Sequence, residues 1–435
     1  MAYLGTSSEL SDIQNLLWGS SVEDDVFRRW AQGFHFSKEE PTALEQTEGG
    51  PCAVIAPVQA FILKILVSEP AGNNWREADA EQCNELLVKA ICDILNQASK
   101  YNGERYRLVH LSDSTHSSSS SLVHTSIENT GNQEQVAEYF HAHLRLVLLE
   151  TREEVEAFYQ QRIEMLHDTF GVLLFLYSVM CTKGSEAIRS EMDDPSEPFI
   201  DETYGYGSQG LINLMMTGRA VGHVWDHEQD VDGLKLRGID RQSDIGFLTL
   251  LEHLRYCRVG SFLKNPKNPV WVLGSETHLT VLFSFDKQLV RPETPGETAR
   301  RIFKSFNPEG NDFIATSRIQ DVLQALDLFS EPEYVDIMSK KLDPENLGIV
   351  LLNAFMDEFF PDEKSSLPDS FVLFHYNGLA KSCPDGKVMY QEGQAVLLEC
   401  DLDCVMDSDP MLTCLQTKWP NIEVQWIREI TPSLN

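Results

Sequence analysis

The stretch that most restricts how this chain can fold is Gln46-Thr-Glu-Gly-Gly-Pro-Cys52 together with the apolar run 53–67 that follows it. A surface helix keeps one polar face, but this run is interrupted only by Gln59 and Lys64. A helix built from it must therefore be enclosed by other elements. The run is also shorter than the ~20 residues a membrane-spanning helix needs. Gly49 and Gly50 permit a tight backbone approach, and Pro51 suits a first helical turn. The sequence predicts a central buried helix with a cysteine at its start. Because unpaired N–H groups at a helix N-terminus favour negative charge, a stabilised thiolate is expected at Cys52.

The rest of the chain narrows the possible functions. A net charge of −32 repels phosphate backbones and anionic membranes, so no nucleic acid and no membrane is expected as a partner, while a basic protein would be attracted. Hydrophobic residues make up 42% of the 435, enough to bury a core, and the length allows two or three domains. The nine cysteines are odd in number and irregularly spaced, as reduced thiols are. The first residues have neither the basic start nor the apolar core of a signal peptide. The expectation is a soluble monomer of the nucleus or cytoplasm.

Residues 112–135, with a serine run at 117–121, and the acidic stretch 185–210 read as exposed loops. Between them, 136–178 has helical periodicity. Residues 270–273 and 279–285 are β-rich runs separated by Gly274-Ser275-Glu276-Thr277, the spacing of a hairpin. After a Pro/Gly-rich break, 299–363 reads as an inserted helical module. Strands at 371–376, 387–390, 395–399 and 423–426 then resume the sheet, divided by Asn377-Gly378 and Asp385-Gly386. The expected class is α+β, with a first catalytic part at 1–298, the module at 299–363 and C-terminal strands at 364–435.

Cys52 becomes a candidate nucleophile if a base can reach it; the competing reading is one more small buried thiol. Gln46, six residues before it, could join the Cys52 backbone N–H in holding an oxyanion, and papain-like enzymes place a glutamine at that separation. Among twelve histidines, His278 is the best-placed base, because it opens a strand that can project it toward a helix N-terminus. A hydrogen-bonded structural histidine is the alternative. Three other motifs carry less. Gly205-Tyr-Gly207-Ser-Gln-Gly210 matches a dinucleotide fingerprint but lacks a buried strand before it, and Ser208 fits a helix cap. His223 and His227 have zinc-protease spacing with Val224 where the glutamate belongs. Cys400, Cys404 and Cys414 lack a fourth ligand.

The module resembles a pair of EF-hands with degenerate loops. The first has Asn307, Glu309 and Asn311 at positions 1, 3 and 5, but Asp312 replaces the glycine and Arg318 the closing glutamate. The second begins at Asp343 and Glu345 and keeps Gly348, but has Leu347 and Ala354 where ligands belong. No metal and no cofactor is expected.

Gln46-Thr-Glu-Gly-Gly-Pro-Cys52-Ala-Val-Ile, Ser208-Gln-Gly-Leu-Ile-Asn-Leu, Gly274-Ser-Glu-Thr-His278-Leu-Thr-Val and Leu412-Thr-Cys-Leu-Gln-Thr-Lys-Trp-Pro420 resemble the MINDY deubiquitinases. The module and the final Pro432-Ser-Leu-Asn435 are most like a member of that family carrying an EF-hand pair. The resemblance implies a papain-like cysteine protease, a central helix against a sheet, that hydrolyses isopeptide bonds in polyubiquitin. Lysine-forty-eight-linked chains are the implied substrate. Motif by motif, the nucleophile falls on Cys52, the base on His278 and the oxyanion-hole amide on Gln46. A non-cleaving EF-hand-like adaptor for ubiquitin or another basic protein is the alternative.

Overall fold

The computed structural model describes residues 7–68, 75–101, 103–112, 135–231, 233–291, 294–307, 312–361, 368–398 and 409–435. The serine run, His116, His124, Glu309, Asn311, Cys400 and Cys404 lie outside the described residues. The chain forms two compact units, Met1–Val290 with Asp369–Asn435, and Arg291–Pro368.

In the first unit the apolar run forms helix α1 (Cys52–Ser68), buried on nearly every side. Helices α2 (Ala80–Ser99), α3 (Gly171–Lys183) and α4 (Gln209–Thr217) pack on it. Its two polar interruptions are both satisfied. Lys64 leaves the apolar zone to pair with Asp93 at 3.0 Å and Asp244 at 3.1 Å. Gln59 is fully buried; its Oε1 accepts from the Leu44 N–H at 2.7 Å, while its Nε2 donates to Thr42 O and the Tyr390 hydroxyl. An amide buried without those partners would carry a penalty of about 1–3 kcal/mol. Gln59 thus ties α1 to the segment leading into Gln46.

Two strands, β1 (Tyr106–Leu111) and β2 (Leu144–Leu149), pair antiparallel. The helical reading of 136–178 is corrected here: the helix Gln135–His143 ends where Leu-Arg-Leu-Val-Leu-Leu begins. Leu144, Leu146, Val147 and Leu149 are buried in a strand paired with β1, which packs on α3, and tertiary burial overrides the local helical period. The main sheet contains β3 (Gly246–Thr249), β4 (Val270–Gly274), β5 (Leu279–Phe283), β6 (Ser370–Tyr376), β7 (Gln391–Leu397) and β8 (Ile422–Trp426), in the order β8-β7-β6-β5-β4-β3. Only β3 and β4 run parallel. Every residue of β4 and β5 is buried, because α1 packs on these strands. Residues 387–390 are not a strand; Val388 and Tyr390 are buried in irregular chain ahead of β7.

The stretch 185–210 also departs from an exposed loop. It starts with the helix Ser185–Glu191, whose Glu191 is needed inside as the partner of buried Lys183 at 2.8 Å. Strands β5 and β6 are antiparallel neighbours, with Phe374 opposite Phe283 and Tyr376 opposite Val281. This pairing brings the end of β6 beside the start of β5, although the second unit lies between them in sequence.

That second unit begins earlier than the composition shift indicated. Its first helix, Pro295–Ser305, has Pro295 in the first turn and a reciprocal cap between Thr294 and Glu297. Helices Ile319–Ala325, Pro332–Leu342 and Leu352–Phe359 follow around a core of Phe303, Ile314, Leu323, Val350 and Phe355. The unit is not all-helical: Phe313–Ala315 and Ile349–Leu351 pair antiparallel, joining its two loops. Asp343 uses both carboxylate oxygens, accepting from Leu347 N and Gly348 N in its own loop and from Thr316 Oγ1 in the other. Arg318 pairs with Asp321 at 3.2 Å.

Candidate active site

Three chain segments meet at the start of α1. The first is the approach to Cys52. Tyr376 donates its hydroxyl proton to Leu44 O at 2.6 Å, and the Gln46 N–H donates to Gly378 O at 2.8 Å. A parallel bridge from Gln46 to Leu379 continues the contact. Gln46 is therefore pinned between α1, through Gln59, and the chain leaving β6. Next comes Gly50 at φ +133°, a conformation side-chain-bearing residues rarely adopt. A Cβ there would sit 3.1 Å from the Trp30 indole nitrogen. Trp30 in turn donates to Gly205 O at 2.9 Å.

The glycines of the dinucleotide-like motif are explained by the same packing. Gly205 adopts φ +72°, and a Cβ on Gly207 would lie 2.4 Å from that of Ala53 in the first turn of α1. Gly207 lets the chain approach the cysteine helix closely and Gly205 lets it approach Val26 and Arg29, with no strand leading into them as a phosphate loop requires. Ser208 caps α4, its hydroxyl accepting from the Leu211 N–H.

The second segment is the β4–β5 turn. The Ser275 N–H donates to His278 O at 3.0 Å, and the His278 N–H donates to Ser275 Oγ at 3.0 Å, which presents the histidine at the strand entrance. The next residue, Leu279, opens β5, which packs on α1, and its backbone N–H favours the charged form of the Cys52 thiol, as do those of Ala53 and Cys52 itself. Cys52 and His278 thus stand on adjoining segments, each about 5% exposed. Three N–H groups converging on one sulfur form a setting suited to a developing anion.

The third segment follows β6. Asn377, almost wholly buried, has Oδ1 3.0 Å from His278 Nε2 and accepts there from the Leu379 N–H as well, also at 3.0 Å. With Oδ1 in that role, Nε2 carries the imidazole proton and Nδ1 holds the free lone pair. The sequence reading treated Asn377-Gly378 as a turn between strands and missed this contact. An asparagine before glycine reads as turn chemistry from sequence, and only the β5–β6 pairing aims it at His278.

Burial sets the resting protonation. It pushes the Cys52 thiol up to about 11, and the three N–H groups pull it down without compensating. The thiolate expected from the helix N-terminus is therefore corrected: desolvation of the charged form outweighs the fixed dipoles. Burial likewise lowers His278 to about 4, against the raising effect of the Asn377 hydrogen bond and with a further lowering from the Lys381 charge. The resting pair is thiol and neutral imidazole. In this state the thiol donates to Gly50 O at 3.7 Å, and the Gln46 side-chain amide donates to Glu48 O at 2.8 Å.

Among the described residues, no group of three or more His, Cys, Asp and Glu side chains is arranged to hold a metal. His223 pairs with Asp193 at 3.0 Å and stacks on Trp225, while His227 packs against Phe262. The seven described cysteines are free thiols. No described helix is long and apolar enough to cross a membrane.

The described structure thus has a cysteine at a buried helix start, an amide six residues before it and a histidine at the entrance of a strand packed on that helix. Residues 14–302, which contain all three, match the family described as "Deubiquitinating enzyme MINDY-3/4, conserved domain". The chain belongs to the MINDY family. Over 98% of its length it is 52% identical to the "Ubiquitin carboxyl-terminal hydrolase MINDY-3 homolog" of Drosophila melanogaster, covering 83% of that protein. It is 48% identical to the human "Ubiquitin carboxyl-terminal hydrolase MINDY-3", over 98% of this chain and 100% of that one. To the mouse "Probable ubiquitin carboxyl-terminal hydrolase MINDY-4" it is 33% identical over 64% of this chain and 37% of the relative. No solved structure matches. The MINDY-3/4 domain match ends before β6, so Asn377 lies outside it.

Proposed function

We propose that this MINDY-family enzyme hydrolyses isopeptide bonds in polyubiquitin with Cys52 as nucleophile, His278 as general base and acid, and Gln46 in the oxyanion hole. The observation that carries this reading is the packing of β5, the strand that His278 leads into, on the helix that Cys52 opens. His278 Nδ1 takes the thiol proton, and sulfur attacks the carbonyl carbon of ubiquitin's terminal glycine. The oxyanion is held by the Cys52 N–H and the Gln46 amide, which must first release Glu48 O. The imidazolium returns its proton to the departing lysine amine, and water activated by His278 then hydrolyses the thioester. Glu48 and Glu276, exposed on the loops bearing Gln46 and His278, suit the basic tail of ubiquitin, as does the net charge of −32.

A ubiquitin bearing a thiol-reactive C-terminal group is expected to label the protein, and Cys52→Ala to abolish labelling. The non-cleaving adaptor is favoured by the near-complete burial of Cys52 in the resting state; absence of labelling, or its survival in Cys52→Ala, would select it. Lysine-forty-eight-linked chains are the proposed substrate, cleaved by a monomer of the nucleus or cytoplasm. The Arg291–Pro368 unit is read as an EF-hand-like pair that needs no calcium, since the Asp343 carboxylate is already engaged by its own loop region. A panel of defined chain linkages, run with and without a calcium chelator, tests both: equal cleavage of all linkages rejects the first, and chelator sensitivity the second.

A further inference from the structure

The amide of Asn377 does not choose its own orientation. Its Nδ2 donates to two backbone oxygens of the final segment, Ser433 O at 3.1 Å and Asn435 O at 3.3 Å. That segment is held in three ways. Leu434 is buried to 4% exposure. The Asn435 side-chain oxygen accepts from Ser275 Oγ at 2.6 Å and from Thr277 Oγ1 at 3.3 Å. Ser433 Oγ closes a local turn on Asn435 O at 2.7 Å. Ser275 and Thr277 belong to the turn that presents His278, so the segment joins that turn to Asn377.

A side-chain amide can rotate by half a turn with little change in shape, so its neighbours decide which end faces the imidazole. Here two oxygens on one side require the NH2 group, leaving Oδ1 for His278 Nε2–H. Without those oxygens only the Leu379 N–H favours that orientation. A flipped amide would offer N–H to Nε2, move the imidazole proton to Nδ1 and remove the lone pair that the role of base requires. An imidazole in the wrong tautomer is a poor base even when its position is unchanged.

We propose that residues 433–435 are positioning residues of the active site: their backbone oxygens lock the Asn377 amide, and through it the His278 tautomer with Nδ1 unprotonated. The proposal rests on His278 being the base. It predicts that a chain ending at Pro432, or Leu434→Asp, lowers kcat about tenfold or more on a fluorogenic ubiquitin C-terminal amide, with KM changed less than about twofold. Imidazole ¹⁵N shifts of His278 in the resting protein, assigned with His278→Gln, should move from the Nε2–H form toward a mixture. Asn377→Ala combined with the truncation should be no slower than Asn377→Ala alone.

Wild-type kcat and tautomer in the truncated chain, or losses that multiply in the double variant, would overturn the proposal. If the truncation or Leu434→Asp lowers the melting temperature, Asn435→Ala serves instead. It removes only the side-chain ties to Ser275 and Thr277, and a smaller shift in the same direction is expected; no shift counts against the lock. The tautomer measurement needs no turnover, so it separates the two failures. Activity surviving in His278→Ala rejects His278 as base, whereas loss there with an unaltered tautomer in the tail variants rejects the lock alone.

Discussion

Two of the places in which the first unit buries titratable groups handle them in opposite ways. Around Lys183 the charges are kept and paired. Its ammonium group bonds Glu191 at 2.8 Å and Gly218 O at 2.8 Å and lies 3.5 Å from the centre of the Tyr101 ring, while Arg219 bonds both Glu191 and Asp240. Around Cys52 the charges are removed: burial pushes the thiol up and the imidazole down, and their recorded partners are neutral, the Gly50 carbonyl for the thiol and the Asn377 amide for the imidazole. A network of complementary charges holds a structure in place and has nothing left to transfer. In the proposed mechanism a neutral thiol and a neutral imidazole leave a proton to transfer once substrate brings the developing charge that the Gln46 amide would receive.

This contrast can be broken by substitution. The largest effect is expected from His278→Ala, which should slow chain cleavage by about 10²–10⁴-fold while the melting temperature holds; full activity would remove His278 from the site. Gln46→Ala should follow at about 10²–10³-fold in kcat, with weaker effects on KM, since its amide is needed only when negative charge develops. Lys183→Ala should do the reverse. It should cost about 3 kcal/mol in urea unfolding, the low end for breaking a buried pair because Arg219 still bonds Glu191, and leave kcat per folded molecule near wild type.

The smallest effect is a matter of pH, and it separates buried histidines from Lys183 by window, the sign being the same. Burial holds His278 and His141 near 4 in the folded protein, against an ordinary value of 6.5. Between these values the unfolded chain binds more protons. Stability present above pH 6.5 is therefore lost as pH falls toward 4, by about 1.4 kcal/mol per pH unit for each histidine. Lys183 is lowered by burial from 10.5 to about 8, so its contribution to stability rises as pH increases through that interval. Urea midpoints at pH 5, 7 and 9 check both, with His141→Phe and Lys183→Met each expected to flatten one limb only.

Much of this molecule is legible in the chain, because some residues carry their environment with them. An apolar run with two interruptions has to be central, and Gly-Gly-Pro before a cysteine has to begin a helix. The β4–β5 hairpin is local and follows from β-rich runs around Gly274-Ser-Glu-Thr. The stretch 136–178 was misread because its leucines fit both periods, and the partner strand that decides between them lies at 106–111. The thiol was misjudged for a related reason: a helix N-terminus is visible in sequence, but the depth at which it is buried is not.

The sequence alone determined which residues are the candidates for the proposed chemistry: one cysteine behind Gly-Gly-Pro, a glutamine six places before it, and a histidine at a strand entrance. Tertiary structure decided which nitrogen of that histidine is free, because the partner of the other is Asn377, and the orientation of Asn377 depends on backbone oxygens at Ser433 and Asn435. Backbone oxygens are the same at every residue and leave no trace in composition or spacing. Only folding shows where they point.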